Sequence, residues 1–148
     1  MPVFFAGSFN PFTAGHASIV DRALAQFDGV VIAIGANYAK PDSMAGAEQR
    51  RRDIEALYAA DPRVSVVVYT DLTAMAAARF GCSAIVRGVR SVHDFEYERD
   101  MADINRRING METVMLMALP ELACVSSSVV RELDSYGLDT SQFMPKPQ

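Results

Sequence analysis

The chain has 148 residues, a formal net charge of −4 and a pI near 5.1. Half of its residues are hydrophobic and 22% are charged, which excludes a disordered chain and predicts a single folded domain over residues 1–148. The acidic balance disfavours nonspecific binding to nucleic acid or to a membrane surface, because both need a dominant positive field. Any anion-binding site must therefore be local.

Short runs rich in Val, Ile and Phe alternate along the chain with longer segments of helical period. This alternation predicts an α/β fold, an open parallel five-stranded sheet with helices on both faces. The predicted strands cover residues 3–6, 30–35, 64–69, 83–87 and 113–118. The predicted helices cover residues 16–27, 47–60, 72–80, 94–108 and 126–136, with Gly29 and Gly81 as helix stops.

The sequence also predicts how one helix and the C-terminal tail pack against the rest of the protein. The helix over residues 94–108 has an apolar stripe that we expect to face the core, formed by Tyr97, Met101, Ile104 and Ile108. The tail over residues 143–148 cannot be helical at its two prolines, so we expect it to lie loosely on the surface.

The sequence also indicates in which compartment of the cell the protein is expected. Residues 1–6 have no basic segment before their short apolar run, so we expect neither a signal peptide nor a membrane span. Cys82 and Cys124 lack the spacing of metal ligands and adjoin apolar, strand-like segments. We therefore expect buried, reduced thiols in a cytoplasmic protein.

Polar or glycine-rich segments follow four of the five predicted strands. They are residues 7–16 after the first strand, Lys40 after the second, residues 87–90 after the fourth and residues 126–128 after the fifth. The carboxyl ends of parallel strands meet at one edge of the sheet, where ligands of open α/β sheets bind. We therefore expect these four segments to form one site.

The first of these segments reads Gly-Ser-Phe-Asn-Pro-Phe-Thr-Ala-Gly-His over residues 7–16. Gly7 and Gly15 let the main chain approach a ligand, and the N–H groups that start the following helix face an anion such as phosphate. His16 falls in the first helical turn, where the helix dipole favours a neutral ring that can still donate one hydrogen bond. Alternatively, the glycines only make a tight turn and His16 caps or packs.

Three segments together resemble one family. Gly-Ser-Phe-Asn-Pro followed by Thr13-x-Gly15-His16 is similar to the signature of nucleotidyltransferases that form adenylyl or cytidylyl links. Residues 87–98, Arg-Gly-Val-Arg-Ser-Val-His-Asp-Phe-Glu-Tyr-Glu, resemble the version found in the phosphopantetheine adenylyltransferases. Residues 125–128, Val-Ser-Ser-Ser, resemble the serine-rich start of that family's last core helix. The resemblance covers nearly the whole chain.

The resemblance implies a Rossmann-like fold and a reaction in which ATP and 4′-phosphopantetheine give dephospho-coenzyme A and pyrophosphate. It also implies Mg²⁺ bound through the ATP phosphates, and a homohexamer. The sequence departs from the family pattern in three places. Ser8 stands where many members have threonine, Asn10 stands where aspartate is usual, and the loop after Lys40 is longer than is typical.

Carried over residue by residue, the resemblance implies one catalytic residue and two sets of ligands. His16 would meet the α-phosphate of ATP and stabilise charge during a direct displacement. The implied ATP ligands are Ser8, Phe9, His16, Gly88, Val89, Arg90, Glu98, Ser126, Ser127 and Ser128. The implied acceptor ligands are Ser8, Lys40, Thr73 and Arg87.

Structural roles remain as alternatives for several of these residues. Arg87 and Glu98 are each expected either to bind a ligand or to form an ion pair with a protein group. Lys40 is either a phosphate ligand or a solvated surface lysine. Residues 126–128 either bind phosphates or serve as an ordinary helix N-cap.

Two other functions compete with the favoured one. A nicotinamide mononucleotide adenylyltransferase shares Gly-Ser-Phe-Asn-Pro, but usually has histidine where Thr13 stands and lacks the string over residues 87–98. A non-catalytic nucleotide-binding sensor would keep the glycines, but need not keep His16 and Lys40 together.

Overall fold

The computed structural model describes residues 1–37, 39–40 and 43–147. Its five strands are β1 Val3–Gly7, β2 Val30–Gly35, β3 Val64–Tyr69, β4 Ala84–Val89 and β5 Thr113–Met117. Its five α-helices are α1 Ala14–Leu24, α2 Ser43–Leu57, α3 Thr73–Arg79, α4 Val92–Asn109 and α5 Ser127–Ser135, and two short 3-10 helices cover Pro120–Leu122 and Ser141–Phe143. The predicted α/β class and its ten regular elements are confirmed.

All five strands are parallel and lie in the order β3-β2-β1-β4-β5. The three central strands are almost wholly apolar because helices cover both of their faces. Residues of alternating parity enter two separate cores: Phe5 and Ile32 pack towards α1 and α2, whereas Phe4 and Val31 pack towards α3. This two-sided burial is the physical reason for the continuous hydrophobic runs in the sequence.

The chain reverses its direction of travel across the sheet at β1. From β1 it moves outward through β2 and β3, then returns to the other side of β1 to form β4 and β5. The loops that leave the carboxyl ends of β1 and β4 therefore run to opposite faces and leave a crevice between them. This crevice is the expected position for a ligand.

Some element boundaries differ from the predictions. β4 continues to Val89 because Arg87, Gly88 and Val89 pair in register with β5, so Arg87 lies inside a strand and not after it. Gly81, with φ of +72°, follows α3 and confirms that helix stop. Gly29 does not end α1, which stops at Leu24; a Cβ at Gly29 would lie 2.7 Å from the Arg63 carbonyl oxygen.

The prediction that the apolar stripe of α4 faces the core is wrong for three of its four residues, since only Met101 is half-buried. Tyr97 is 61% exposed, Ile104 is 49% exposed and Ile108 is 40% exposed. The face that α4 turns to the protein is polar, with Glu98 and Asn105 buried. The apolar stripe is offset from this face by one residue, which is about 100° around a helix.

The C-terminal tail and one cysteine also depart from expectation. Met144 and Pro145 are half-buried and line a groove with Phe9 and Phe12, so the tail is docked on the protein and does not lie loosely. Its prolines are outside any helix, as expected. Cys82 is buried as predicted, but Cys124 is exposed. Among the helices that the structure describes, none combines the length and the apolar character needed to cross a membrane.

Candidate active site

A cleft opens at the carboxyl ends of β1 and β4, where the chain reverses. Its cavity has a volume of about 260 Å³, close to the lower end of the range of roughly 300–1,000 Å³ for small-molecule sites. The predicted site residues that line it are Ser8, Phe9, His16, Arg87, Gly88, Arg90, Glu98, Ser126 and Ser127. Residues from three of the four predicted segments thus come together in space.

The loop between β1 and α1 is held by three hydrogen bonds to its carbonyl oxygens. Arg50 Nε donates to the Ser8 carbonyl at 3.0 Å, and Ser127 Oγ donates to the Pro11 carbonyl at 2.7 Å. Arg131 donates to the Asn10 carbonyl. Sequence reasoning did not single out Arg50 or Arg131, because an arginine on a helix carries no local signal that it reaches a distant carbonyl.

Phe9 fixes the conformation of the same loop. It is only 2% exposed and has a positive φ of 49°, unusual for a residue with a side chain. Its ring lies over Gly7, where an added Cβ would come within 3.0 Å of the ring. Gly7 is therefore needed for the close packing of Phe9, and the Phe9 ring is part of the core.

His16 lies at the third position of α1 and makes a reciprocal cap with Thr13. The Thr13 main-chain N–H donates to His16 Nδ1 at 2.9 Å, while the His16 N–H donates to Thr13 Oγ1 at 3.4 Å. Since Nδ1 accepts a hydrogen bond, the proton of the neutral ring is on Nε2. The imidazole thus caps the helix with Nδ1 and carries its proton on Nε2, and His16 belongs to the lining of the cleft.

The electrostatic environment keeps this imidazole neutral. Burial lowers the pKa of His16 to about 4, and the positive charges of Arg87 and Arg90 add to the shift. The ring also packs against Phe9 and Phe12, with centroid distances of 4.9 Å and 5.4 Å. At neutral pH, His16 is therefore a rigid, uncharged hydrogen-bond donor whose ring is not protonated to the imidazolium.

Arg87 and Glu98 form a two-pronged ion pair at the floor of the cleft. Arg87 Nε donates to Glu98 Oε2 at 2.9 Å, and Arg87 Nη2 donates to Glu98 Oε1 at 2.8 Å. Arg87 Nη1 also donates to the Ala6 carbonyl oxygen. The sequence left ligand binding and ion pairing open for both residues, and the structure shows the ion pair.

The end of β4 supplies the opposite wall. Gly88 lines the cleft next to Ile19, whose side chain an added Cβ would approach to 3.1 Å. Arg90 lies at the rim and pairs with Asp94 at 3.4 Å, while the Arg90 main-chain N–H donates to Asp94 Oδ2. The Val89 side chain is buried, so Val89 does not line the cleft.

The three serines at the start of α5 have different surroundings. Ser126 is the N-cap, and its hydroxyl accepts the Val129 N–H at 3.2 Å. Ser127 holds the β1–α1 loop, as described above. Ser128 is exposed, hydrogen bonds to Ser126 and lies outside the cleft lining. Capping therefore accounts for Ser126, while the main-chain N–H groups that begin α5 still point out of its N-terminus.

A second cavity adjoins the cleft on the other side of the Arg87–Glu98 pair. Thr73 lines it, and the Thr73 hydroxyl hydrogen bonds to the Tyr69 hydroxyl at 2.9 Å. The buried Asn105 lines it too, together with Thr113, whose buried Oγ1 has no hydrogen-bond partner within the described part of the chain. Sequence reasoning missed Asn105 and Thr113, since neither belongs to a motif.

Lys40 is an exposed residue in the turn before α2 and lines neither cavity. Its N–H donates to the Asn37 carbonyl at 3.1 Å. The structure thus does not bring its side chain together with Arg87. The loop directly after it, over residues 41–42, lies outside the described residues.

Comparison of the sequence with known protein families gives a match that is consistent with the fold and the cleft. The Cytidylyltransferase-like profile matches residues 4–133, so the protein is a nucleotidyltransferase of that class. The phosphopantetheine adenylyltransferase of Porphyromonas gingivalis is 50% identical to it over 142 residues, which cover 96% of this chain and 92% of that protein. The phosphopantetheine adenylyltransferase of Bacteroides thetaiotaomicron is 48% identical, with 96% and 93% covered. The chain belongs to the phosphopantetheine adenylyltransferase family.

A solved structure confirms the Rossmann-like fold. The bifunctional NMN adenylyltransferase/ADP ribose pyrophosphatase of Francisella tularensis, complexed with AMP and a Mn ion, has a TM-score of 0.69. The match covers 99% of this chain and 45% of that one, at 18% sequence identity. At this identity the likeness concerns the fold alone.

Proposed function

We propose that this protein transfers the adenylyl group of ATP to 4′-phosphopantetheine, giving dephospho-coenzyme A and pyrophosphate. Membership of the family supports the reaction. The observation that carries it in this chain is His16, a neutral donor that is fixed at a helix N-terminus and belongs to the lining of the cleft. A donor of this kind suits a phosphoryl oxygen, because it meets developing negative charge without losing a proton.

On the nucleotide side, the described residues that line the cleft offer hydrogen-bond donors from histidine, arginine and serine side chains, and none of them is a lysine. The α-phosphate would lie against His16 Nε2, and the departing β- and γ-phosphates would lie near the N-terminus of α5 and Arg90. The acceptor phosphate oxygen attacks the α-phosphorus in line as the bond to the pyrophosphate oxygen breaks. No covalent enzyme intermediate is needed, so positioning and electrostatic stabilisation supply the rate.

On the acceptor side, the second cavity is suited to the pantetheine arm. Its lining combines apolar side chains with the buried amide of Asn105 and with the hydroxyl of Thr113, which has no hydrogen-bond partner among the residues that the structure describes. Such groups suit an arm that contains amide links, because a ligand amide would satisfy them. Arg87 borders both cavities, which supports its role as a ligand of the acceptor phosphate, whereas Lys40 lines neither cavity.

Mg²⁺ would accompany ATP and would be held by its phosphates and by water. The structure shows no group of three or more metal-ligating side chains within the described residues. The carboxylates of Asp94 and Glu98, which line the cleft, are paired with Arg90 and Arg87. Bound in this way, the ion would neutralise phosphate charge.

We also propose a cytoplasmic homo-oligomer, a hexamer by family resemblance. Exposed apolar side chains concentrate on α4 and on the neighbouring α3, which supports a protein interface there. They are Val92, Phe95, Tyr97, Ile104 and Ile108 on α4, with Leu72 and Met75 at α3. Light scattering on the purified protein tests the mass of the assembly, and a monomer at micromolar concentration would contradict this proposal.

The experiment that tests the reaction is an ATP turnover assay with 4′-phosphopantetheine and nicotinamide mononucleotide in parallel. We expect pyrophosphate release to require 4′-phosphopantetheine. Equal or faster turnover with nicotinamide mononucleotide would refute the assignment. No turnover with either acceptor would instead support a nucleotide-binding sensor.

A further inference from the structure

Arg50 contacts the β1–α1 loop from outside the lining of the cleft. It lies on α2, and its Nε donates a hydrogen bond to the Ser8 carbonyl at 3.0 Å. Ser8 lines the cleft, whereas Arg50 lines the separate groove that also contains Phe12 and Met144. Arg50 belongs to the lining of neither substrate cavity. It is therefore placed to act on the loop and not on a bound substrate.

The helix that carries Arg50 is firmly packed. Ala47 and Ile54, which lie three residues before and four residues after Arg50, are buried in the same core cluster as Phe9. This spacing places Arg50 close to the face of α2 that packs on the core. Gly46, one turn earlier, leaves room for the guanidinium, since an added Cβ would lie 3.2 Å from Arg50 Nη1. The helix and the loop are thus attached to one core.

The contact fixes the direction of one peptide unit. The bond between Ser8 and Phe9 is trans, and the carbonyl and N–H of a trans peptide point in opposite directions. Because the Ser8 carbonyl is turned to Arg50, the Phe9 N–H points away from Arg50. This N–H has no hydrogen-bond partner among the residues that the structure describes. Since Phe9 belongs to the lining of the cleft, the N–H is a donor that a ligand there could use.

Phe9 needs support from its neighbours because of its backbone conformation. Its φ of 49° lies in the left-handed region, and such conformations persist where the surroundings fix them, often at active sites. Burial holds the Phe9 ring, but a buried ring can keep its place while the peptide before it rotates. Of the three hydrogen bonds to carbonyls of this loop, those of Ser127 and Arg131 lie after Phe9. The bond from Arg50 is the one that holds the peptide before it.

We propose that Arg50 is a positioning residue for adenylyl transfer, which acts through the peptide between Ser8 and Phe9. Its hydrogen bond holds this peptide so that the Phe9 N–H is directed at the phosphoryl group that is transferred. A fixed main-chain donor meets the charge that develops on phosphoryl oxygens and needs no reorganisation during the reaction. Arg50 itself touches neither substrate. The inference rests on the proposed function, because it assigns a task within that reaction.

The test compares two substitutions of Arg50 that have the same length. Arg50→Met places a methyl group where Nε lies, whereas Arg50→Gln can place an amide N–H donor there. Steady-state assays give kcat and KM, and calorimetric titration gives the Kd of ATP and of 4′-phosphopantetheine. For Arg50→Met we expect kcat to fall about 10- to 100-fold, with each Kd within about threefold of the parent. Arg50→Gln should keep kcat within about threefold of the parent.

Arg52→Met is the matched control on the same helix. It also removes one guanidinium, but Arg52 is exposed and donates its hydrogen bond to Gln49 within α2, so this variant should match the parent. If Arg50→Met does not fold, as judged by thermal unfolding, Arg50→Lys replaces it. Lysine keeps the charge but has a methylene where Nε lies, so Arg50→Lys should turn over more slowly than Arg50→Gln. Turnover of Arg50→Lys at or above that of Arg50→Gln would contradict the inference.

Three further results would overturn the inference: a parental kcat in Arg50→Met, equal losses in Arg50→Met and Arg50→Gln, or a loss confined to a Kd. The first, with earlier melting, would leave Arg50 a purely structural residue, and the second would mean that its charge matters and not its hydrogen bond. Failure of the proposed function is distinguishable, since the parent protein would then release no pyrophosphate with 4′-phosphopantetheine. A parent that turns over and an Arg50→Met variant that equals it would refute the role of Arg50 alone.

Discussion

Replacement of His16 tests the centre of the proposed site, because the two ring nitrogens have separate tasks. Nδ1 accepts the Thr13 N–H and caps α1, while Nε2 is left to donate to the α-phosphate. His16→Ala removes both functions. His16→Asn can keep an acceptor where Nδ1 lies and places nothing where Nε2 lies. A comparison of the two variants therefore separates the structural task from the catalytic one.

Loss of the donor and loss of the helix cap should have effects of different size, the first on kcat and the second on stability. Removal of one preorganised donor to developing charge typically lowers kcat by about 10²- to 10³-fold, and both variants should show this loss. Loss of a helix cap costs about 0.5–2 kcal/mol. His16→Ala also loses the packing of its ring against Phe9 and Phe12, so its loss of stability should be at the upper end or beyond. His16→Asn should retain much more of the stability.

The measurements are kcat and KM at saturating ATP and acceptor, together with thermal unfolding of the same preparations. We expect kcat to fall in both variants with little change in either ground-state affinity, because the hydrogen bond strengthens in the transition state. Only His16→Ala should melt clearly earlier. A His16→Asn variant with kcat within about threefold of the parent would refute the catalytic role and leave His16 as a helix cap.

Three further predictions concern pH, the acceptor phosphate and the tail. Because the pKa of His16 is lowered from 6.5 to about 4 in the folded protein, the unfolded chain takes up a proton on this ring at higher pH than the folded protein does. The free energy of unfolding should therefore fall as the pH drops from about 6.5 to 4. Unfolding measured across this pH range should show a smaller fall for His16→Asn than for the parent. Lys40→Ala should weaken the binding of 4′-phosphopantetheine about 10- to 150-fold and leave the affinity for ATP unchanged, as measured by calorimetry. An unaltered affinity for the acceptor would make Lys40 a surface residue. Deletion of residues 141–148 removes the Met144 and Pro145 side of the groove that Phe9 and Phe12 also line. This loss should lower the free energy of unfolding by about 1–3 kcal/mol in chemical denaturation, whereas an unchanged midpoint would mean that the tail contributes no packing.

Local patterns in the sequence were sufficient to predict the fold class and the edge of the sheet at which the cleft opens. Apolar runs alternating with helical segments predict a parallel sheet because two-sided burial demands such runs. The edge of the sheet that carries the ligand then follows from the handedness of the crossovers. Motifs over residues 7–16 and 87–98 identified the family, since their residue types recur at fixed spacing along the chain.

Only the tertiary structure decided which atoms of these residues are free to act. The cap that His16 makes with Thr13 is local, but the Arg87–Glu98 pair and the carbonyl contact of Arg131 depend on distances between separate elements of the fold. The outward apolar stripe of α4 is a similar case. Helical period shows that a stripe exists, but which side of the helix meets the sheet depends on what the neighbouring elements present. Here the sheet and the cleft meet the polar side, so the sequence pattern alone predicted the wrong face.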